Sequence, residues 1–161
     1  MFALCQKRTI LILFYTMLTI CAFICHILEH RHMLDHVSIT VTDIGAAEKF
    51  YDAIMSALGV PKVRISEVRF GYGERSDGDH PHRNYLVIKV GGQPDDAPAR
   101  HWCFKAPNRA AVDAFWKAGL ANGGTDNGPP GIREYHTSYY AAFLIDPTGN
   151  RVEAVCHSKP G

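Results

Sequence analysis

Two histidines and one glutamate in this 161-residue chain each sit within a strand-like run and share its more polar phase. His36 opens "HVSITV", where Val37, Ile39 and Val41 share one face and His36, Ser38 and Thr40 the other. His101 opens "HWCFK", with Trp102 and Phe104 turned one way and Cys103 and Lys105 beside the imidazole. Glu153 in "NRVEAVC" alternates against Val152, Ala154 and Cys156. A carboxylate flanked by apolar strand residues is costly to bury unpaired. A divalent ion held together with two imidazoles is a sufficient partner, and it would keep coordination positions open for substrate oxygens or dioxygen. A lone strand histidine is more often a hydrogen-bonded core residue; the in-phase set of three is what points to metal.

The elements that carry these residues repeat. At a constant offset of 65, His36 meets His101, Ala46 meets Ala111, Phe50 meets Phe115, Ala53 meets Ala118 and Gly59 meets Gly124. Asp43 and Asn108, seven residues after the two histidines, are suited to cap helices. In "GAAEKFYDAIMSALG" the apolar stripe is Ile44, Ala47, Phe50, Tyr51, Ile54 and Leu58; in "NRAAVDAFWKAGLANGG" it is Val112, Phe115, Trp116 and Leu120. β-rich runs follow each helix: "KVRISEVRFGYG" and "NYLVIKV" in the first copy, "YYAAFLI" and "NRVEAVC" in the second. "DPTGN", Asp146 to Asn150, reads as a tight hairpin link. Each copy is therefore a strand, a helix and then two or three strands.

Composition narrows the partners. The net charge of +1 and the absence of a basic stripe argue against nucleic acid. Of five cysteines, Cys5, Cys21 and Cys25 precede the repeat and only Cys103 and Cys156 lie in it, with no repeated spacing, so neither a disulfide framework nor a zinc ribbon is indicated. Residues 9–28, "TILILFYTMLTICAFICHIL", carry no formal charge and match the roughly 20 residues that cross a bilayer as a helix. Lys7 and Arg8 before them would keep the N-terminus cytoplasmic. The alternative is a start at Met33, with residues 1–32 outside the working protein. The domain is then read as 33–161, with modules of about 33–92 and 99–158, either cytoplasmic or anchored through residues 9–28. A chain shortened to Met33 is expected to fold.

On "LDHVSITVTDIGAAEKFYDAIMSALG", "RHWCFKAPNRAAVDAFWKAG" and "YYAAFLIDPTGNRVEAVCH", the sequence from Met33 to about His157 resembles the glyoxalase, bleomycin-resistance and extradiol-dioxygenase superfamily, the vicinal oxygen chelate proteins. The resemblance implies an α+β fold of paired βαβββ modules forming a curved mixed sheet, a half-barrel with helices outside. It implies a divalent metal (Fe, Mn, Zn, Ni or Co) on His36, His101 and Glu153, a small-molecule substrate, and a homodimer as an open alternative. Glyoxalase I has a fourth protein ligand from the first module; the offset places Ile88 there, or Val87 with a one-residue slip, and neither binds metal. The pattern is that of a three-ligand site, as in ring-cleaving dioxygenases and fosfomycin-type thiol transferases. The function implied is a metal-dependent lyase, isomerase or dioxygenase, in which the ion chelates adjacent substrate oxygens; the alternative is a metal-free protein that sequesters its ligand.

The remaining candidates are more local. His136 in "REYHTSYY" is read as a loop residue that could move protons together with Tyr139 or Tyr140. His157 shares the phase of Glu153 but falls near the strand end. His80 and His82 read as loop residues, and Cys103 as cavity lining with no general base beside it.

Overall fold

The structure is a computed structural model and describes residues 33–159, apart from 95, 96 and 98. The apolar run at 9–28 lies outside the described residues. Among those described, no helix is long and apolar enough to cross a membrane. The first module comprises β1 (His36–Val41), α1 (Ile44–Ala57), β2 (Lys62–Ser66), β3 (Arg69–Gly73) and β4 (Tyr85–Val90). The second comprises β5 (Trp102–Lys105), α2 (Arg109–Ala121), β6 (Thr125–Ile132), β7 (Tyr140–Ile145) and β8 (Arg151–Cys156). Strand order is β1-β4-β3-β2 in one sheet and β5-β8-β7-β6 in the other. In each, the first strand pairs in parallel with the last, and the last three form an antiparallel meander.

Both helices begin where the sequence places them. Asp43 Oδ1 accepts the backbone N–H groups of Gly45 at 2.9 Å and Ala46 at 3.0 Å, and Asn108 Oδ1 accepts that of Ala111 at 2.8 Å. The stripes then bury Ala47, Phe50, Tyr51, Ile54 and Met55 from α1, and Ala111, Val112, Phe115 and Gly119 from α2. At the helix ends the repeat is shifted by one residue: Gly59 holds φ 74°, but its counterpart in conformation is Gly123 at φ 95°, not Gly124. Gly124 is required for space instead, since a Cβ there would stand 2.4 Å from Phe50 Cε2 and 2.9 Å from Gly119 O.

The two modules share one core, in which α1 packs against α2. Ile39, Val41, Leu86 and Ile88 of the first sheet and Leu144, Val152, Ala154 and Cys156 of the second face it. His36, Ser38 and Thr40 therefore lie on the far side of the first sheet, and Cys103 and Glu153 on the far side of the second. The helices cover the face opposite the site residues, as the sequence implies. One feature differs from the expected single curved sheet: among the described residues the sheets share no strand pairing, so each module keeps its own four strands. Helix-to-helix packing turns the two polar faces away from the shared core.

Side-chain bonds tie the modules together at the turn before β8. Asn150 Nδ2 donates to Thr40 O at 3.0 Å, Thr42 N to Thr148 Oγ1 at 3.3 Å, and the buried Tyr51 hydroxyl to Asp146 Oδ2 at 2.9 Å. Burial, then the Asp146 charge, pushes the Tyr51 phenol well above its ordinary pKa. Burial and the bond to Asp52 likewise raise that of Tyr72. A phenol whose folded pKa is raised contributes stability that is fully present below about pH 10 and lost as pH rises beyond it, because the unfolded chain then ionises first. Chemical denaturation should therefore give a stability that falls between pH 10 and 11.5 in the native chain. The slope should be shallower in Tyr51→Phe and Tyr72→Phe; parallel slopes in all three would refute the assignment.

Candidate metal centre

Glu153 occupies the middle of β8, between Cys103 of β5 and Phe143 of β7 in register, and is only 2% exposed. Both carboxylate oxygens are engaged. Oε1 accepts the Tyr139 hydroxyl at 2.8 Å, and Oε2 stands 2.8 Å from His101 Nε2. Partial burial, then the bond to Glu153, raises the Tyr139 phenol, so it remains a proton donor. Burial followed by the Glu153 charge likewise pushes the Cys103 thiol up. A thiol held protonated is no nucleophile.

The hydrogen bonds of His101 bear on metal. Its Nδ1 lies 3.1 Å from the carbonyl oxygen of Ala99, which can only accept, so Nδ1 carries the proton. In the neutral ring Nε2 is then a lone pair facing a carboxylate lone pair at 2.8 Å. That arrangement requires either a second proton on the ring or a cation near both atoms. An imidazole that donates through one nitrogen to a backbone carbonyl and presents the other is how metal-binding histidines are oriented. His101 and Glu153 thus supply two donors of the kind that divalent ions take.

His36 stands elsewhere. Its Nδ1 is 2.6 Å from Asp35 Oδ1, and its ring stacks on Tyr85 with centroids 5.1 Å apart and planes 18° from parallel. Ser76 Oγ donates to the other Asp35 oxygen at 2.8 Å. The His36 bond, then the Ser76 bond, holds the Asp35 carboxyl below its usual range. Among the described residues no three His, Cys, Asp or Glu side chains gather closely enough within the chain to hold an ion. His101 and Glu153 meet; His36 is not with them. Strand register distinguishes the two first-module counterparts of Glu153: Ser38 pairs with Val87 as Cys103 pairs with Glu153, so the counterpart is Val87, and Ile88 lies in the core.

The loop before β7 covers the carboxylate. Tyr139 packs against Tyr135, His136 and His157, with centroids 4.8, 5.5 and 5.1 Å away. His136 Nδ1 accepts the Ser138 backbone N–H at 3.2 Å, so its Nε2 holds the proton and donates it to His157 Nδ1 at 2.9 Å. Of the three proton-transfer candidates, Tyr139 touches Glu153, whereas His136 is joined to it through the Tyr139 ring. Tyr140 turns away and donates to Asp113 at 2.8 Å. His80 is bonded to Asp77 at 2.9 Å within its own loop. Asp35, Arg133, Tyr135 and Phe143 were not singled out by sequence; Arg133 lies over the Phe143 ring at 5.3 Å. Only Asp35 gave a signal, its position directly before His36.

The paired βαβββ modules and the polar face bearing His101 and Glu153 define the class. The chain belongs to the Glyoxalase/Bleomycin resistance protein/Dioxygenase superfamily, whose family model matches residues 33–154. Its sequence is 34% identical to a glyoxalase/bleomycin resistance protein of Albidiferax ferrireducens T118, over 80% of this chain and 100% of that one, with a TM-score of 0.64. A glyoxalase/bleomycin resistance protein/dioxygenase family enzyme of Burkholderia phytofirmans PsJN shares the fold at 20% identity, over 77% and 98% of the two chains, with a TM-score of 0.55. A glyoxalase/bleomycin resistance protein/dioxygenase of Alicyclobacillus acidocaldarius does so at 19%, over 82% and 96%, with a TM-score of 0.53. No curated protein matches the chain.

Proposed function

We propose that the protein is a divalent-metal-dependent lyase, isomerase or dioxygenase acting on a small molecule bound through adjacent oxygens. The observation that carries this reading is the Nε2 of His101 facing the buried Glu153 carboxylate at 2.8 Å while its Nδ1 is committed to Ala99 O. An ion held by His36, His101 and Glu153 would polarise substrate oxygens as a Lewis acid. Fe, Mn, Zn, Ni and Co all accept this donor set. The chain's own residues do the rest. Tyr139 orients Glu153 through its hydroxyl and, with His136, is placed to hold or pass a proton at the substrate.

Because His36 stands apart from the other two within one chain, the reading includes a second copy. In a homodimer, His36 of one protomer would complete the pair His101 and Glu153 of its partner.

A metal-free ligand-binding protein is the second reading, favoured by the fact that both Glu153 oxygens have partners within the chain. The two separate on Glu153→Gln. A metal enzyme should lose metal affinity and turnover together while keeping its fold. A structural Glu153 should lose stability with metal content unchanged. Metal analysis of the purified protein, then calorimetric titration of wild type, Glu153→Gln and His101→Ala, is the test; equal metal binding by all three would discard the metal reading.

A further inference from the structure

We infer that Arg133 is a specificity-determining residue that receives an anionic oxygen group, a carboxylate or a phosphonate, of a small molecule bound on the face of the second sheet that bears Glu153. This rests on the small-molecule reading above, in either of its two forms, and needs no metal. Phe143 pairs in register with Glu153, so the two side chains are neighbours on that face, and the Phe143 ring meets the His101 ring with centroids 6.1 Å apart. The Arg133 guanidinium lies over the same Phe143 ring, 5.3 Å from its centre. One aromatic ring thus carries the cation and borders the His101 and Glu153 pair.

Bonds within the chain hold the guanidinium in place. Nη2 donates to Pro129 O at 2.6 Å and to Ala141 O at 3.2 Å. The Arg133 backbone N–H donates to Tyr139 O at 2.9 Å, closing the loop that brings the Tyr139 hydroxyl to Glu153. Gly128 and Gly131 leave room for this arrangement: a Cβ on the first would stand 3.1 Å from Phe143 Cδ2 and 3.6 Å from Arg133 Nη2, and one on the second 3.4 Å from Nη1. Both side-chain bonds go to neutral carbonyls through Nη2, and among the described residues no carboxylate pairs with Arg133. Nε and Nη1 therefore keep donors for a further acceptor, and an ionised one makes the stronger bond. The nearby Glu153 carboxylate has both oxygens taken by Tyr139 and His101.

The test uses the full-length chain and NMR titration with benzoate, phenylphosphonate and the neutral isostere benzamide, followed on the Arg133 Nε–H and Phe143 ring signals. Wild type should bind at least one of the anions about tenfold or more tighter than benzamide, the effect of one hydrogen bond to a charged group. Arg133→Gln, which keeps a side-chain donor for the carbonyls, should lose that preference. Arg133→Lys, which keeps the charge, should retain part of it. Circular dichroism secures the fold of each variant, and the wild-type comparison decides even where a variant unfolds. Benzamide bound as tightly as both anions, an unaltered preference in folded Arg133→Gln, or no response of Arg133 to either anion would each overturn the inference. Zinc titration of the same proteins keeps the two readings apart: wild type that takes up no zinc yet prefers anions would remove the metal reading and leave the role of Arg133 standing.

Discussion

Mixing His36→Ala chains with Glu153→Gln chains should restore zinc binding that neither variant has alone. Each homodimer would have both of its sites damaged. Losing a direct ligand should cost more than the roughly 10–100-fold typical of outer partners, so each variant should be nearly silent in equilibrium dialysis. In a twofold dimer the same residues meet twice, once in each sense. A mixed dimer therefore concentrates both lesions in one site and leaves the other intact. Random exchange makes about half of all dimers mixed, so about a quarter of all sites should recover. Co-expression with two different tags verifies that mixed dimers form. Verified mixed dimers that bind no zinc would show that the site does not cross between chains, and the two-chain part of the proposed function would be abandoned.

Asp146→Ala should be among the most destabilising single changes in the molecule, although Asp146 lies in a turn. The side chain is 3% exposed and accepts five bonds. Oδ1 takes the backbone N–H groups of Thr148, Gly149 and Asn150 at 2.8 Å each, shaping the link between β7 and β8. Oδ2 takes the Tyr51 hydroxyl from the other module and Asn150 Nδ2. Truncation leaves the Tyr51 hydroxyl without its acceptor in the core, where each unsatisfied buried group costs about 1–3 kcal/mol. Together with the loosened turn, a loss of about 3–5 kcal/mol is expected. For a domain of this size that lowers Tm by roughly 10 °C or more. Tyr51→Phe removes one donor only and should cost about half as much. Thermal unfolding measures both, and a smaller loss in Asp146→Ala than in Tyr51→Phe would contradict the hub role.

Periodicity and capping residues made the two strand-helix starts legible, because a two-residue alternation and a stripe at three and four are local properties of the chain. The turn at Asp146–Asn150 was legible for the same reason. β6 was not: "TDNGPPGI" has no alternation and contains two prolines, and it becomes a strand only because β7 offers a partner along an irregular register. The polar-face phase of His36, His101 and Glu153 also came from sequence, as did the identity of Val87 as one of two candidates. What sequence could not supply was how the modules pack. Helix packing between Phe50, Ile54 and Gly119 depends on shape at a glycine, where a Cβ would come within 3.2 Å of both partners and 2.3 Å of Leu144. His36 and Glu153 lie on separate sheets because, among the described residues, each module pairs its strands only with one another. The Tyr139 contact with Glu153 depends on how the 133–139 loop folds back, which no spacing encodes.

The prolines of β6 have a bearing on assembly. β6 is the outer strand of its sheet, and a backbone without N–H groups at Pro129 and Pro130 cannot offer a continuous ladder to another strand. Register shifts between Asp126 and Gly128, and between Gly128 and Gly131, break its regularity further. The opposite border of the sheet, β5, carries no proline and lies beside the strand that bears Glu153. Growth of this sheet by strand addition is thus closed along β6, so it cannot extend in both directions at once.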